Sequence, residues 1–165
     1  MNIFALDDDP IQAARWHSDK HVIKMILETA QILSTVHHAR GHAVTYKATH
    51  AHHPCTVWAG ATAANYRWLL ALGLALGAEY TARYGKTHAS QAMLQGELSS
   101  PPPGLTGGAL TPFAQAMPDE CKHADSVQAY RRYYQFKTDE NAWMLWAKLD
   151  NTPAWITPRI IGDAT

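Results

Sequence analysis

Across residues 20–39, apolar side chains recur at steps of three and four, at Val22, Ile23, Met25, Ile26, Ala30, Leu33 and Val36. That spacing predicts an amphipathic helix, and Gly41 ends it. Residues 56–84 repeat the pattern with a wider apolar face through Val57, Trp58, Ala61, Tyr66, Leu69, Leu72, Leu76 and Tyr80. Within this second long helix, Gly73 and Gly77 predict close packing against a neighbour, and Gly85 predicts a C-terminal stop. Before both, residues 2–6 form a short apolar run, read as an edge strand or an extended arm. Asp9-Pro10-Ile11-Gln12 reads as a short helix start, with Asp9 the cap, Pro10 at the first helical position and Gln12 completing a capping box. Ser18-Asp19 is a second cap at which the chain bends.

Residues 90–98 read as a further, shorter helix. Asp125 caps a last helical region carrying Tyr130-Arg131-Arg132-Tyr133-Tyr134 and then Trp143-Met144-Leu145-Trp146. Two stretches break the periodicity. Residues 42–54 are polar and rich in histidine, and residues 99–118 are rich in proline and glycine. The second is too long for an ordinary connection and favours a lid or a mobile crossing. The expectation is an all-α fold, one compact helical bundle over residues 1–165 with a long Pro/Gly-rich loop.

Composition narrows the function classes. Fourteen basic side chains balance fourteen acidic ones, and only 17% of residues are charged, against about 25% in an average chain. That excludes a disordered or supercharged protein, and a strongly basic one that holds DNA by bulk charge. Any grip on nucleic acid has to come from a local patch. Cys55 and Cys121 lie far apart with no Cys-x-x-Cys spacing, which suggests neither zinc nor a disulfide framework. The opening residues reach Asp7-Asp8-Asp9 without a basic region or a long apolar run, unlike a signal peptide. The apolar stretch 68–78 is too short to span a bilayer. The expectation is a soluble, reduced, intracellular protein.

The first long helix carries a polar stripe. His17, Lys20, His21, Lys24, Glu28, Gln31 and Thr35 follow three- and four-residue steps and share one face. A solvated face is the bland reading. Against it, the stripe mixes two lysines, two histidines and one carboxylate, a set suited to acid–base work and phosphate binding, and it narrows to neutral residues among apolar ones. His50, His52 and His53 precede Pro54 and Cys55 but match no standard metal spacing, so a structural or substrate-binding loop is favoured over metal. One of these histidines could instead move a proton in a cleft. Glu79 and Arg83 are one turn apart and could pair, whereas Arg83 and Lys86 could equally hold a phosphate. Arg131 and Arg132 between tyrosines, Tyr134 among them, look like a nucleic-acid footprint, with a helix burying its tyrosines as the equal alternative.

These motifs together resemble a known family. Asp9-Pro10 with Ala13-Ala14, His17-x-Asp19-Lys20-His21-Val22-x-Lys24-Met25-x-x-Glu28-x-x-Gln31, His53-Pro54-x-x-x-Trp58, Asn65-Tyr66-x-Trp68-Leu69 and Glu79-Tyr80-x-x-Arg83-Tyr84-Gly85-Lys86-x-His88 are similar to motifs of small phage and bacterial proteins of the pyrimidine-dimer DNA glycosylase, or endonuclease V-like, type. That resemblance implies an all-α fold, an N-terminal amine as nucleophile, a helix glutamate matched by Glu28, and arginines that hold DNA. Asn2 and the acidic run 7–9 depart from that pattern.

The related amino acid:DNA transferases of phage thymidine hypermodification accommodate those departures. Resemblance to them implies an amino acid joined through its amine to a pyrophosphate-activated 5-hydroxymethyluracil in DNA. Glu28 or a cleft histidine (His17 or His21) would act as base, with Lys24 beside it. Lys20, Lys24, Arg83 and Lys86 would hold the pyrophosphate, with Gln31, His53 and Asn65 completing the substrate site. Arg131, Arg132 and Tyr134 would hold DNA. The implied partners are double-stranded DNA carrying a modified base and a free amino acid, with no cofactor, metal or membrane, in the cytoplasm of an infected bacterium. The alternatives are a glycosylase–lyase using Lys20 or Lys24 as an imine-forming amine, and a non-catalytic DNA-binding helical protein.

Overall fold

Local chemistry sets each helix of the computed structural model, which describes residues 1–157. Helix α1 spans Pro10–Trp16, with the Asp9 carboxylate accepting from the Ile11 amide and Pro10 in the first turn. The capping box does not form. The Asp9 amide donates to Asp7 Oδ1 instead of to Gln12. Helix α2, Asp19–His38, follows the turn at Ser18, and Gly41 lies just beyond it with φ of 78°.

The single helix expected over residues 56–84 is two: α3, Pro54–Ala59, and α4, Ala63–Tyr84. Gly60 ends α3, and the Thr62 hydroxyl accepts from the Asn65 amide to start α4 afresh. Helix α5 is Gln91–Gln95, and α6 is Ser126–Glu140, capped by Asp125 and preceded by a 3-10 turn at Asp119–Cys121. The last helical region stops at Glu140, where Asn141 bonds back to the Lys137 carbonyl. Trp143–Trp146 is therefore not helical. Among the described residues there is no strand, and the fold is all-α.

Helix α4 lies along both α1 and α2, and its glycines let α2 and α5 approach its backbone. A Cβ on Gly73 would stand 2.7 Å from Thr29 Cγ2 and 2.9 Å from Leu94 Cδ1, so α2 and α5 close directly on the α4 backbone there. The long loop 99–118 is irregular, as expected, and behaves as a strap along α4. The Ala63 amide donates to Gly107, Thr62 Oγ1 to Ala109, and Asn65 exchanges bonds with Thr111. The strap's own Leu105 and Phe113 are buried.

The N-terminal run is not an edge strand but an arm without regular structure, packed into the protein. Residues 2–6 are buried. The Asn2 amide donates to Glu28, Asn2 Nδ2 donates to the Ala116 carbonyl, and Arg131 Nε donates to the Leu6 carbonyl. Phe4 bends the run with φ of 38°, a left-handed conformation that costs a non-glycine residue about 1–3 kcal/mol. The bend turns its ring into a stack with His21 of α2 and Tyr133 of α6, at 4.8 and 5.8 Å between centroids. This arm thus joins α6 to α2.

Candidate functional site

The site centres on Glu28, two turns into α2. Its side chain is only 11% exposed. Oε2 accepts from the Asn2 amide at 2.9 Å and lies 3.9 Å from the Met1 amine. Oε1 faces Lys24 Nζ at 3.4 Å, and that lysine side chain is 64% exposed. Burial on an outer helix face arises because the N-terminal arm lies across it. One oxygen is thus held by backbone, and the other faces an open cationic surface.

Around this carboxylate the surface gathers positive charge and aromatic rings. Lys20 lies 5.7 Å from the exposed Trp143 ring, and Lys137 lies 5.3 Å from Tyr133. Burial, with Lys24 as a nearby like charge, holds the Lys137 ammonium below its ordinary pKa, while Glu140 and Glu28 oppose that shift. Ile23 and Leu27 are exposed on α2, before and after Lys24. The sequence reading missed Lys137, Tyr133, Trp143 and Phe4 as members of this surface. One signal was available: Tyr133 and Lys137 are four apart and share a face of α6.

The structure separates the remaining candidates. His21 lies beside Lys24 on α2, and Tyr134 hydrogen-bonds its Nδ1 at 2.9 Å. His17 is sealed in the core, with Nδ1 donating to the Ala13 carbonyl at 2.7 Å. Burial above all lowers its pKa to about 4. It therefore remains neutral near pH 7 and meets the site only edge-on to the Phe4 ring. Gln31 is half-buried one turn beyond Glu28. His53 caps α3 by accepting from the Cys55 amide, and burial lowers its pKa, with the chain's amine and His50 adding to the effect. Asn65 is fully buried and bonds the Trp58 carbonyl and Thr111, which makes it a clamp on the strap instead of a substrate ligand.

Arg83 does not face a phosphate. Its side chain is fully buried, and all five of its N–H donors are engaged by Glu79, Asp19 and the carbonyls of Arg15 and His17. Lys86 is exposed past the end of α4. Tyr134 is fully buried, and its hydroxyl accepts from the Ser18 amide, so it has no face for a base. Arg131 bonds Asp7 and stacks on Trp16 at 4.8 Å, with Trp155 at 5.7 Å, pinning the arm. Arg132 is exposed and borders a depression of about 610 Å³.

Cys55 is buried behind Asn2, 3.7 Å from the Tyr130 hydroxyl, and burial pushes its thiol up to about 11. Such a thiol is a poor nucleophile at neutral pH. Among the described residues, no three His, Cys, Asp or Glu side chains come together as a metal site, and no helix is long and apolar enough to cross a membrane. Comparison with family models, curated proteins and solved structures finds no match to the chain.

Proposed function

We propose that this chain is a DNA-base-modifying enzyme of phage type, an amino acid:DNA transferase that joins a free amino acid to pyrophosphate-activated 5-hydroxymethyluracil. The observation that carries the reading is the environment of Glu28: a nearly buried carboxylate with Oε2 held by the Asn2 amide and Oε1 facing an exposed lysine. Such a group can accept a proton at a site fixed by the fold.

In the reaction, an incoming amino-acid ammonium gives one proton to Glu28. The freed lone pair attacks the methylene carbon of the base. A C–N bond forms as the C–O bond to pyrophosphate breaks, and pyrophosphate leaves with that electron pair. Lys20 and Lys24 stabilise the charge it carries away. DNA is held by this lysine face and its exposed Trp143, a cation-and-ring combination suited to an unstacked base. With net charge zero, affinity for unmodified duplex should be modest. Three phosphate contacts would give a log–log salt slope of about −2.7.

The second reading, a glycosylase–lyase, is favoured by one contact: Lys24 Nζ lies 3.4 Å from a carboxylate that could take its proton, as an imine-forming amine requires. Borohydride separates the two. With DNA bearing the activated base and an amino acid, the transferase releases pyrophosphate and borohydride traps no covalent product. A borohydride-stable adduct on Lys20, Lys24 or the N-terminal amine would overturn the transferase and establish the lyase. DNA binding without either product would leave the non-catalytic reading.

A further inference from the structure

A proton acceptor has to be held in place, and the groups around Glu28 differ in how well they can hold it. Lys24 is 64% exposed, and an exposed ammonium on a long side chain fixes a partner poorly. The Asn2 amide, 2.9 Å from Oε2, is a backbone donor, so it is as fixed as the segment that carries it. What fixes that segment is the side chain of Asn2 itself.

Asn2 is buried, and both ends of its side-chain amide are engaged. Nδ2 donates to the Ala116 carbonyl of the strap at 2.8 Å. Oδ1 accepts from the Ile3 amide at 2.8 Å and from the Phe4 amide at 3.4 Å, with the Cys55 thiol 3.9 Å away. A carbonyl can only accept and a backbone amide can only donate, so these partners fix which end of the side chain is nitrogen and which is oxygen. The bonds from Oδ1 to the next two amides also tighten the chain where Phe4 takes its left-handed φ, a local turn that asparagine favours. The side chain thus grips the strap with one end and shapes the arm with the other, while the main-chain N–H points at Oε2.

We propose that Asn2 is a positioning residue for Glu28: its side chain locks the arm so that the main-chain N–H holds Oε2 and leaves Oε1 presented on the Lys24 side. A peptide nitrogen shares its lone pair with the neighbouring carbonyl and is no nucleophile, so the contribution of Asn2 passes through Glu28. Placement matters because a displacement of about 1 Å in a reacting group can cost about a hundredfold in rate. Neither of the side chains closest in size would serve. Aspartate keeps one acceptor but sets a second oxygen against the Ala116 carbonyl, and leucine offers neither donor nor acceptor. The proposal rests on the reading of Glu28 as the base, yet the hold on its carboxylate can be measured without any transfer.

The experiment uses the full chain labelled with ¹³C and ¹⁵N, the variants Asn2→Leu and Asn2→Asp, and Asp9→Ala as a control that removes the cap of α1 and none of these bonds. In the parent, scalar couplings across hydrogen bonds should join the Asn2 amide nitrogen to Glu28 Cδ and Asn2 Nδ2 to the Ala116 carbonyl carbon. Both Asn2 variants should lose the coupling to Glu28. With activated DNA and an amino acid, their kcat should fall about tenfold to a hundredfold at unchanged KM. Asp9→Ala should lower the urea midpoint while keeping the Glu28 coupling and kcat. Absence of either coupling in the parent overturns the proposal, and that measurement decides even if neither Asn2 variant folds. So does a Glu28 coupling and a kcat that survive in both Asn2 variants, or an equal loss of kcat in Asp9→Ala. Couplings present in a parent that adds no amino acid to DNA would sink the transferase and leave the hold on Glu28 standing.

Discussion

Replacing Arg83 with methionine separates a structural arginine from a phosphate-binding one. The guanidinium has no exposed surface, donates to Glu79 at 2.8 and 3.1 Å and to Asp19 at 3.2 Å, and reaches the His17 and Arg15 carbonyls at 2.7 and 3.0 Å. It ties the end of α4 to the α1–α2 turn. Methionine keeps most of the packing but leaves two carboxylates, at 11% and 15% exposure, without their cation. Breaking one side of a buried ion pair costs about 3–5 kcal/mol, about a fifth or more of the roughly 5–15 kcal/mol that holds such a domain folded. With a urea slope of about 2 kcal/mol per molar, the midpoint should fall by about 1.5–2.5 M. The melting temperature should fall by about 6–20 °C. Arg83→Lys keeps the charge but not the planar fork, and should recover only part of the loss. Equilibrium urea unfolding followed by circular dichroism reads the effect. A midpoint moved by less than about 0.5 M, together with a tenfold loss of pyrophosphate binding, would refute the reasoning and make Arg83 a substrate ligand.

Gly73→Ala gains about 1 kcal/mol of helix propensity. Its Cβ would nevertheless stand 2.7 Å from Thr29, and overpacking of about 1–3 kcal/mol should win, so calorimetry should find a lower melting temperature. The folded pKa of His17 is about 4, below the ordinary 6.5, so the unfolded chain binds the extra proton. The His17 contribution to stability is therefore complete above pH 6.5 and lost as pH falls toward 4, by about 3 kcal/mol. Denaturation across that range should show the slope, and His17→Gln should flatten it. Arg131→Ala removes the ties to Leu6 and Asp7 and should cost about 1–2 kcal/mol. Arg132→Ala, at an exposed position, should leave the unfolding free energy from urea titration within about 0.5 kcal/mol of the parent.

Helix α2 was legible in the sequence to within a residue or two because its apolar period and the following glycine agree. The α3–α4 break was harder to see. Gly60-Ala61-Thr62 falls inside a continuous apolar rhythm, and only the Thr62 hydroxyl three residues before the Asn65 amide marks a new start. The end of α6 carries no Gly or Pro, and Asn141 stops it through its side chain. Glu28, Lys24 and His21 could be grouped from spacing because one helix carries all three. The Glu79–Arg83 pair was legible from its one-turn spacing and forms, but the second carboxylate on Arg83 and the one on Arg131 were not, since Asp19 and Asp7 lie 64 and 124 residues away. Nothing local to a charged residue says whether a distant carboxylate will return to it. Lys137 escaped for the same reason, because it joins the α2 surface only through the Phe4 ring and the arm that delivers it.

The central claim is that Glu28 takes the proton of an incoming amine while DNA keeps its backbone and its base. The most direct measurement is the mass of the nucleosides released from DNA that carried pyrophosphate-activated 5-hydroxymethyluracil, after incubation with a free amino acid and either the parent chain or Glu28→Gln. The parent should raise the modified base by one amino-acid increment, with one pyrophosphate released per base. Glu28→Gln should bind the DNA equally well and form that product about 10²–10⁴-fold more slowly. An unchanged rate in Glu28→Gln, or an abasic site in place of the heavier nucleoside, would contradict the account.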